Sequence, residues 1–259
     1  MEIITSKDNK LIKRLVMLHD RKKASKEKKV FVEGVRLCED ALISGVKPEA
    51  LAATPANEKL AFELKEKYSL EISPVFMSED VFAKACSTVN PQGIAMVLEQ
   101  PGRVEDLPVK GKDIYVVLEN IQDPGNLGTI IRTADAFDMS AVIMTKGTVD
   151  PYNEKVLRSS MGSVWKVPLM FVDSSDAAFD LLEGKGVLTL AAELGGDPLP
   201  EAKIDLPCAY FIGNEGNGLQ SCTIDRCDMK IRIPMPGRAE SLNAASAASI
   251  IGYSLSILR

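Results

Sequence analysis

The sequence predicts an α/β protein: a small α/β domain over residues 1–99, a linker over 100–113, and a parallel sheet between helical layers over 114–259. Three observations carry that expectation. Short apolar runs alternate with stretches of helical periodicity along the chain, the signature of β-α units. Beyond residue 113 the apolar runs become continuous rather than alternating, as strands covered on both faces require. Three of those runs are followed at once by glycines and short polar residues, which points to a bound small molecule.

The elements follow in order. Leu11, Ile12, Leu15, Val16 and His19 recur at helical spacing, so residues 7–20 read as one amphipathic helix with His19 packed on its edge. VFVEG is a strand, Val35 to Ser44 a helix stopped by Gly45, and ALAAT a strand. Asn57 to Lys67 reads as a helix, LEISPVFM as a strand, Ser78 to Cys86 as a helix and GIAMVLEQ as a strand. QPGRVEDLPVKGKD is rich in Pro, Gly and charge, a linker composition. YVVLEN, AVIMT, VPLMFV, VLTLAA, AYFIG and KIRIP are then the strands of the second domain, with helices at Leu127–Phe137, Asn153–Met161, Ser174–Glu183 and Leu242–Leu258. In the last of these, Ala244, Ala245, Ala247 and Ala248 let another backbone or a ligand come close.

Composition narrows the function. No run reaches the roughly 18 apolar residues that span a membrane. The opening MEIITSKDNK lacks a basic-then-apolar pattern, so no secretion signal is expected. Five scattered cysteines (Cys38, Cys86, Cys208, Cys222, Cys227) and one histidine argue against a disulfide framework and a zinc site, so no metal is expected. Cys222 and Cys227 make a weak ligand pair with no second pair to join them. A reducing cytoplasm fits this usage.

Charge is uneven. Residues 1–36 hold eleven Lys or Arg against five acids, a net +6, which leaves −11 on the rest of a chain whose total is −5. A basic arm on an acidic body is a nucleic-acid footprint; the same run also reads as a solvated helix face. Its one aromatic is Phe31, so such an arm, with Arg21, Lys22 and Lys23 at its centre, would hold phosphate rather than stack bases.

The common nucleotide motifs are missing. No GxGxxG follows the first strand of either domain, there is no GxxxxGK[ST], and GNEGNGL has its glycines in the wrong order for a dinucleotide turn. With His19 alone and far upstream, a Ser-His-Asp triad is not available.

Taken together, LENIQDPGNLGTIIRTADAF, FIGNEGNGL and IPMPGRAESLNAASAASI resemble, in order and spacing, the three motifs of the SpoU (TrmH-like) family of RNA ribose 2′-O-methyltransferases in the SPOUT superfamily. YNEKVLRSSMGS is similar to the intervening segment, and VFVEGVRLCEDAL and NPQGIAMVLEQ to the ends of the family's N-terminal substrate-binding domain. The resemblance covers the chain from about Val30 onward. It implies S-adenosyl-L-methionine as donor, RNA (ribosomal RNA, 23S in particular) as substrate, a trefoil knot in the C-terminal domain and a homodimer with the active site near the subunit interface. By position it implies Asn126, Arg132, Glu215, Ser241 and Asn243 as active-site residues, with Asn126 in the DPGN turn and Arg132 on the second turn of the next helix. It also implies a donor pocket against Leu190, Ala191, Ala192, Gly213, Asn214, Gly218, Ile233, Met235, Ser241, Leu242 and Ala244.

Arg158 and Ser160 match the intermediate segment, as phosphate or dimer contacts, with Arg158 taken as an RNA contact. A guanidinium stays protonated, so Arg132 is expected to pin a phosphate and stabilise oxyanion charge while phosphate or water accepts the proton. One departure stands out: the family's helix ends in Phe-Gly, whereas this chain has Phe137-Asp138, which would shift that turn slightly. A tRNA substrate, a base target and a non-catalytic RNA-binding protein are the competing readings.

Overall fold

A computed structural model describes residues 2–100 and 104–259. The chain divides into two units, Met1–Pro101 and Gly102–Arg259. In the first, the elements run β1 (Ile3–Ile4), α1 (Lys10–Met17), α2 (Arg21–Glu27), β2 (Lys29–Glu33), α3 (Val35–Ile43), β3 (Pro48–Ala53), α4 (Glu58–Lys67), β4 (Val75–Met77), α5 (Glu79–Ala85) and β5 (Ile94–Glu99). The sheet order is β1-β4-β3-β5-β2, with β5 antiparallel to both its neighbours and the other pairs parallel.

Three expectations need correction here. The helix read over 7–20 is confined to Lys10–Met17, started by Asn9, which accepts from Leu11 N at 2.9 Å; a second helix that the sequence reading did not include follows at Arg21–Glu27, started by Asp20, which accepts from Lys22 N at 3.0 Å. The basic segment is not an arm. Ile12, Leu15, Leu18 and Ala24 are buried against Phe31, Met77, Val81 and Phe82. Lys13 pairs with Asp8, Arg14 with Glu27 and Glu49, and Lys29 with Glu49 and Glu99, so part of the positive charge is spent inside the unit. The strand read over LEISPVFM shrinks to Val75–Met77, since Pro74 has no N–H to give a ladder. His19 packs edge-on against Phe31 at 5.1 Å and bonds the Ala85 carbonyl at 2.8 Å.

The second unit contains β6 (Ile114–Leu118), α6 (Pro124–Ala136), β7 (Ala141–Thr145), α7 (Glu154–Ser160), β8 (Leu169–Val172), α8 (Ser175–Glu183), β9 (Leu188–Pro198), β10 (Cys208–Ile212), α9 (Ser221–Arg226), β11 (Met229–Arg232) and α10 (Ala244–Ser256). Every ladder is parallel, in the order β11-β9-β10-β6-β7-β8. Each residue of β6, β7 and β10 is buried, which explains their unbroken apolar sequence. Phe179 of α8 stacks on Phe211 of β10 at 4.6 Å on one face; on the other, Tyr210 donates to the Ala248 carbonyl of α10 at 3.1 Å.

The segment read as a linker joins this unit from residue 104: Val104 N donates to Leu169 O, and Leu107 is buried in the core. Residues 101–103 of that segment lie outside the described residues. Asp138 stands in the turn after α6. It takes the left-handed conformation a glycine would (φ +50°), Met139 N closes onto Ala134 O at 2.8 Å, and the carboxylate pairs with Arg259 at 3.2 Å.

Candidate active site

Because β10 lies between β9 and β6, with β11 beyond β9, the loops leaving β6, β10 and β11 meet at the carboxyl edge of the sheet. Asp123 starts α6: its carboxylate accepts from Asn126 N at 2.8 Å, and Pro124 occupies the first helical position, where no N–H is needed. Asn126 is therefore inside the first turn of α6 rather than in the turn before it. Asn243 does the same for α10, accepting from Ala245 N at 2.9 Å and Ser246 N at 3.2 Å.

The three motifs are joined by one chain of hydrogen bonds. Glu215 accepts from Gln122 N at 3.1 Å, Asp123 N at 3.0 Å and the Asn126 side-chain amide at 3.0 Å. The Asn126 Oδ1 in turn accepts from the Asn243 side-chain amide at 2.8 Å. Burial raises the pKa of Glu215, but the bonds from Asn126 and the Gln122 and Asp123 amides outweigh it and hold the carboxylate below its ordinary range.

Beside this chain lies a cavity of about 450 Å³. Its floor is apolar (Ile212, Leu219, Ile231, Ile233, Met235, Leu242) and its wall is the glycine-rich loop 213–218. Asn214 folds that loop back on itself, pairing with Gly218 through backbone bonds of 3.0 and 2.9 Å and accepting from Gly216 N at 2.9 Å. Gly213 is required by contact: a Cβ there would lie 2.0 Å from the Gly218 carbonyl carbon and 2.1 Å from Leu219 N. Gly218 is required by conformation, at φ +67°. An apolar floor, exposed main chain and two carboxylates at the rim (Glu193 and Glu215) fit a flat nucleoside carrying a cationic tail.

The expected residues divide as follows. Ala192, Gly213, Asn214, Gly218, Ile233, Met235, Ser241, Leu242 and Ala244 line the cavity with Glu215. Leu190 and Ala191 do not, being fully buried in β9 where they pair with Tyr210 and Phe211. Ser241 is exposed at the rim.

Arg132 is not brought to the cavity. It lies on the third turn of α6, six residues past Asn126, hence about 120° around the helix, on an exposed stripe with Thr129 and Ala136. Arg158 is exposed and paired with Glu154; Ser160 is fully buried and bonds the Leu157 carbonyl, so it faces no ligand. Lys22 and Lys23 are exposed in the first unit, while the Arg21 side chain lies outside the described residues.

Ala247, read from the sequence as a point of close approach, also lines the cavity, whereas sequence reasoning missed Glu193, Leu194, Asn217, Arg232 and Ile251. It also missed the Gln122 and Asp123 amides that seat Glu215. Of these, only Asp123 carried a signal, an acid directly before a proline at a helix start.

Residues 113–253 match the SpoU rRNA Methylase family, and residues 9–96 match the MRM3-like substrate binding domain. The chain is 35% identical over 257 residues to the 23S rRNA (guanosine(2553)-2'-O)-methyltransferase RlmP of Bacillus subtilis, covering 98% of this chain and 99% of that one. It superposes on an AdoMet-bound rRNA methyltransferase from Sinorhizobium meliloti with TM-score 0.85 at 30% identity, over 99% and 98% of the two chains. For the SpoU methyltransferase AviRb from Streptomyces viridochromogenes the TM-score is 0.84 at 29% identity, over 97% and 98%. Two domains matched in order and a relative aligned end to end lead to one conclusion: the chain belongs to the SpoU rRNA methylase family.

Proposed function

We propose that this protein methylates a ribose 2′-hydroxyl of RNA, with 23S ribosomal RNA as substrate and S-adenosyl-L-methionine as donor. The observation that carries the reading is the glycine-walled cavity joined through Glu215 to the Asn126–Asn243 hydrogen-bond chain. The donor is held by the main chain of Ala192, Gly213, Gly218, Ile233, Met235 and Leu242, with Ser241 and Ala244 at the mouth. When bound, it supplies a methyl group made electrophilic by its sulfonium charge.

The remaining work belongs to the chain. Glu215 and Asn243 fix the Asn126 amide, so the polar edge of the cavity is set before substrate arrives. Arg132 donates to the phosphate beside the target ribose and stabilises charge building on the attacking oxygen, while that phosphate or a water takes the proton. Alignment of this kind is worth roughly 7–11 kcal/mol of barrier.

Arg132 is exposed and does not line its own cavity, which supports a homodimer in which each subunit's Arg132 serves the other's pocket. Exposed Ile250, Tyr253 and Ile257 along α10 supply an apolar seam for that pairing. The C-terminal unit is read as a trefoil knot, in keeping with the close backbone approach at Gly213 and the small residues of α10. Lys22, Lys23, Arg21 and Arg158 are assigned to RNA phosphate, and the cytoplasm as the compartment. Among the described residues no helix is long and apolar enough to cross a membrane, and no group of three metal-ligating side chains occurs.

Transfer of tritiated methyl from S-adenosylmethionine to 23S rRNA transcripts, followed by nucleoside mapping, tests the reading. Label on a 2′-O-methyl nucleotide of 23S rRNA is expected; label on tRNA or on a base, or absence of donor affinity, overturns it. Arg132→Lys should keep part of the turnover that Arg132→Ala loses. Equal loss in both, with RNA and donor binding intact, would show that charge at this position is not enough.

A further inference from the structure

Glu119 is a buried acid that the proposed chemistry does not use. It is 3% exposed, at the end of β6, and no cation pairs with it among the described residues. Three donors satisfy it instead. Gln220 N gives a 2.7 Å bond to Oε1, and the hydroxyls of Ser175 and Thr223 donate to Oε2. Ser175 begins α8 and Gln220 precedes α9, so the carboxylate faces the amide ends of two helices, where helix dipoles favour negative charge.

The next residue completes a grip. Asn120 takes a left-handed conformation (φ +57°), anchors its N–H on the Thr145 hydroxyl at 3.1 Å, and accepts the Asn214 side-chain amide on its carbonyl at 2.9 Å. Glu119 and Asn120 therefore hold both ends of one loop: Asn214 where it leaves β10, and Gln220 where it enters α9. That loop is the wall of the cavity, and neither Glu119 nor Asn120 lines the cavity itself.

We propose that Glu119 is a positioning residue for donor binding, its buried carboxylate holding the 213–220 loop in the shape the ligand needs without touching the ligand. The identity of the ligand rests on the proposed function; the hold on the loop does not. A carboxylate suits the place because all three neighbours can donate to it, and charge-assisted bonds are roughly twice as strong as neutral ones. Glutamine keeps the volume and one acceptor but loses that charge.

The test compares the full-length chain with Glu119→Gln and Thr223→Val. Two readouts are taken: calorimetric titration with S-adenosylmethionine, and amide hydrogen exchange of the ligand-free protein. For Glu119→Gln, donor Kd should rise about tenfold or more, the energy of a weakened charge-assisted bond. Exchange across 213–220 should quicken by a similar factor, with residues 124–136 unchanged and kcat at saturating donor retained. Thr223→Val should move both readouts the same way by less.

Wild-type Kd and loop exchange in Glu119→Gln would overturn the proposal. So would faster exchange spread evenly through β6, β10 and α6 with kcat and KM failing together, which is the mark of a merely structural acid. If the wild-type chain shows no donor affinity, the proposed function falls, and loop exchange still decides the role of Glu119. Should Glu119→Gln not fold, Thr223→Val and Ser175→Ala carry the same comparison.

Discussion

Gly213→Ala isolates the geometry of the cavity wall. The glycine's φ is outside the left-handed region, so alanine meets no backbone strain there, and the added methyl is the whole perturbation. That methyl would lie 2.0 Å from the Gly218 carbonyl carbon, 2.1 Å from Leu219 N and 2.3 Å from Gly218 O. Contact between such atoms is comfortable near 3.5 Å. The atoms struck are main chain, so no side chain can swing away, and the loop must retreat by more than an ångström.

The two Asn214–Gly218 backbone bonds, at 3.0 and 2.9 Å, are the ones strained by that retreat. Each is worth about 0.5–1.5 kcal/mol net, so losing both costs about 1–3 kcal/mol. If the loop must re-form around the donor, that range corresponds to an affinity about 5- to 150-fold weaker. Calorimetric titration with S-adenosylmethionine reads it directly, with thermal unfolding confirming that the fold survives. A folded Gly213→Ala protein that binds the donor within twofold of wild type would refute the argument that this close approach shapes the pocket.

Three other outcomes are expected. The Glu215 carboxylate is held below its unfolded pKa, so what it contributes is complete above the ordinary carboxylate range, near pH 4.5, and is lost as pH falls through the folded value. Donor affinity should therefore stay flat from neutral pH through the ordinary carboxylate range and drop only as pH falls through the lower folded value, whereas Glu215→Gln should remove that acid limb. Asp138→Gly, made in an Arg259→Ala background so that no ion pair is lost, should raise stability by about 0.5–1 kcal/mol by relieving a left-handed non-glycine residue, read as a higher melting temperature. Lys22→Ala with Lys23→Ala should weaken RNA binding and reduce the slope of log affinity against log salt by up to about 2, one per phosphate contact; an unchanged slope would place the contacts elsewhere.

Much of the fold was legible because it follows from local rules. Continuous apolar runs such as AVIMT and AYFIG have one reading in a covered sheet, and AVIMT spans the observed β7 from end to end. The failures were also local. Asn9 caps α1 inside the stretch read as helical, and Asp20 starts α2 just beyond it, in a run of charged residues with no apolar stripe to announce a helix. Six-residue α9 was too short to show periodicity.

What the sequence determined by itself was the set of loops: glycines and short polar residues after three strands, in an order that named a family and a donor. What only the tertiary structure decided was which of those residues meet. Glu215 reaches Asn126 across 89 positions and Asn126 reaches Asn243 across 117, contacts fixed by strand order rather than by any local preference. The same fold left Arg132 exposed and out of the cavity lining and put Leu190 and Ala191 inside the sheet. Periodicity tells a side chain which face of its own element it occupies; what stands opposite depends on how the sheet is threaded, and that is settled only when the whole core closes.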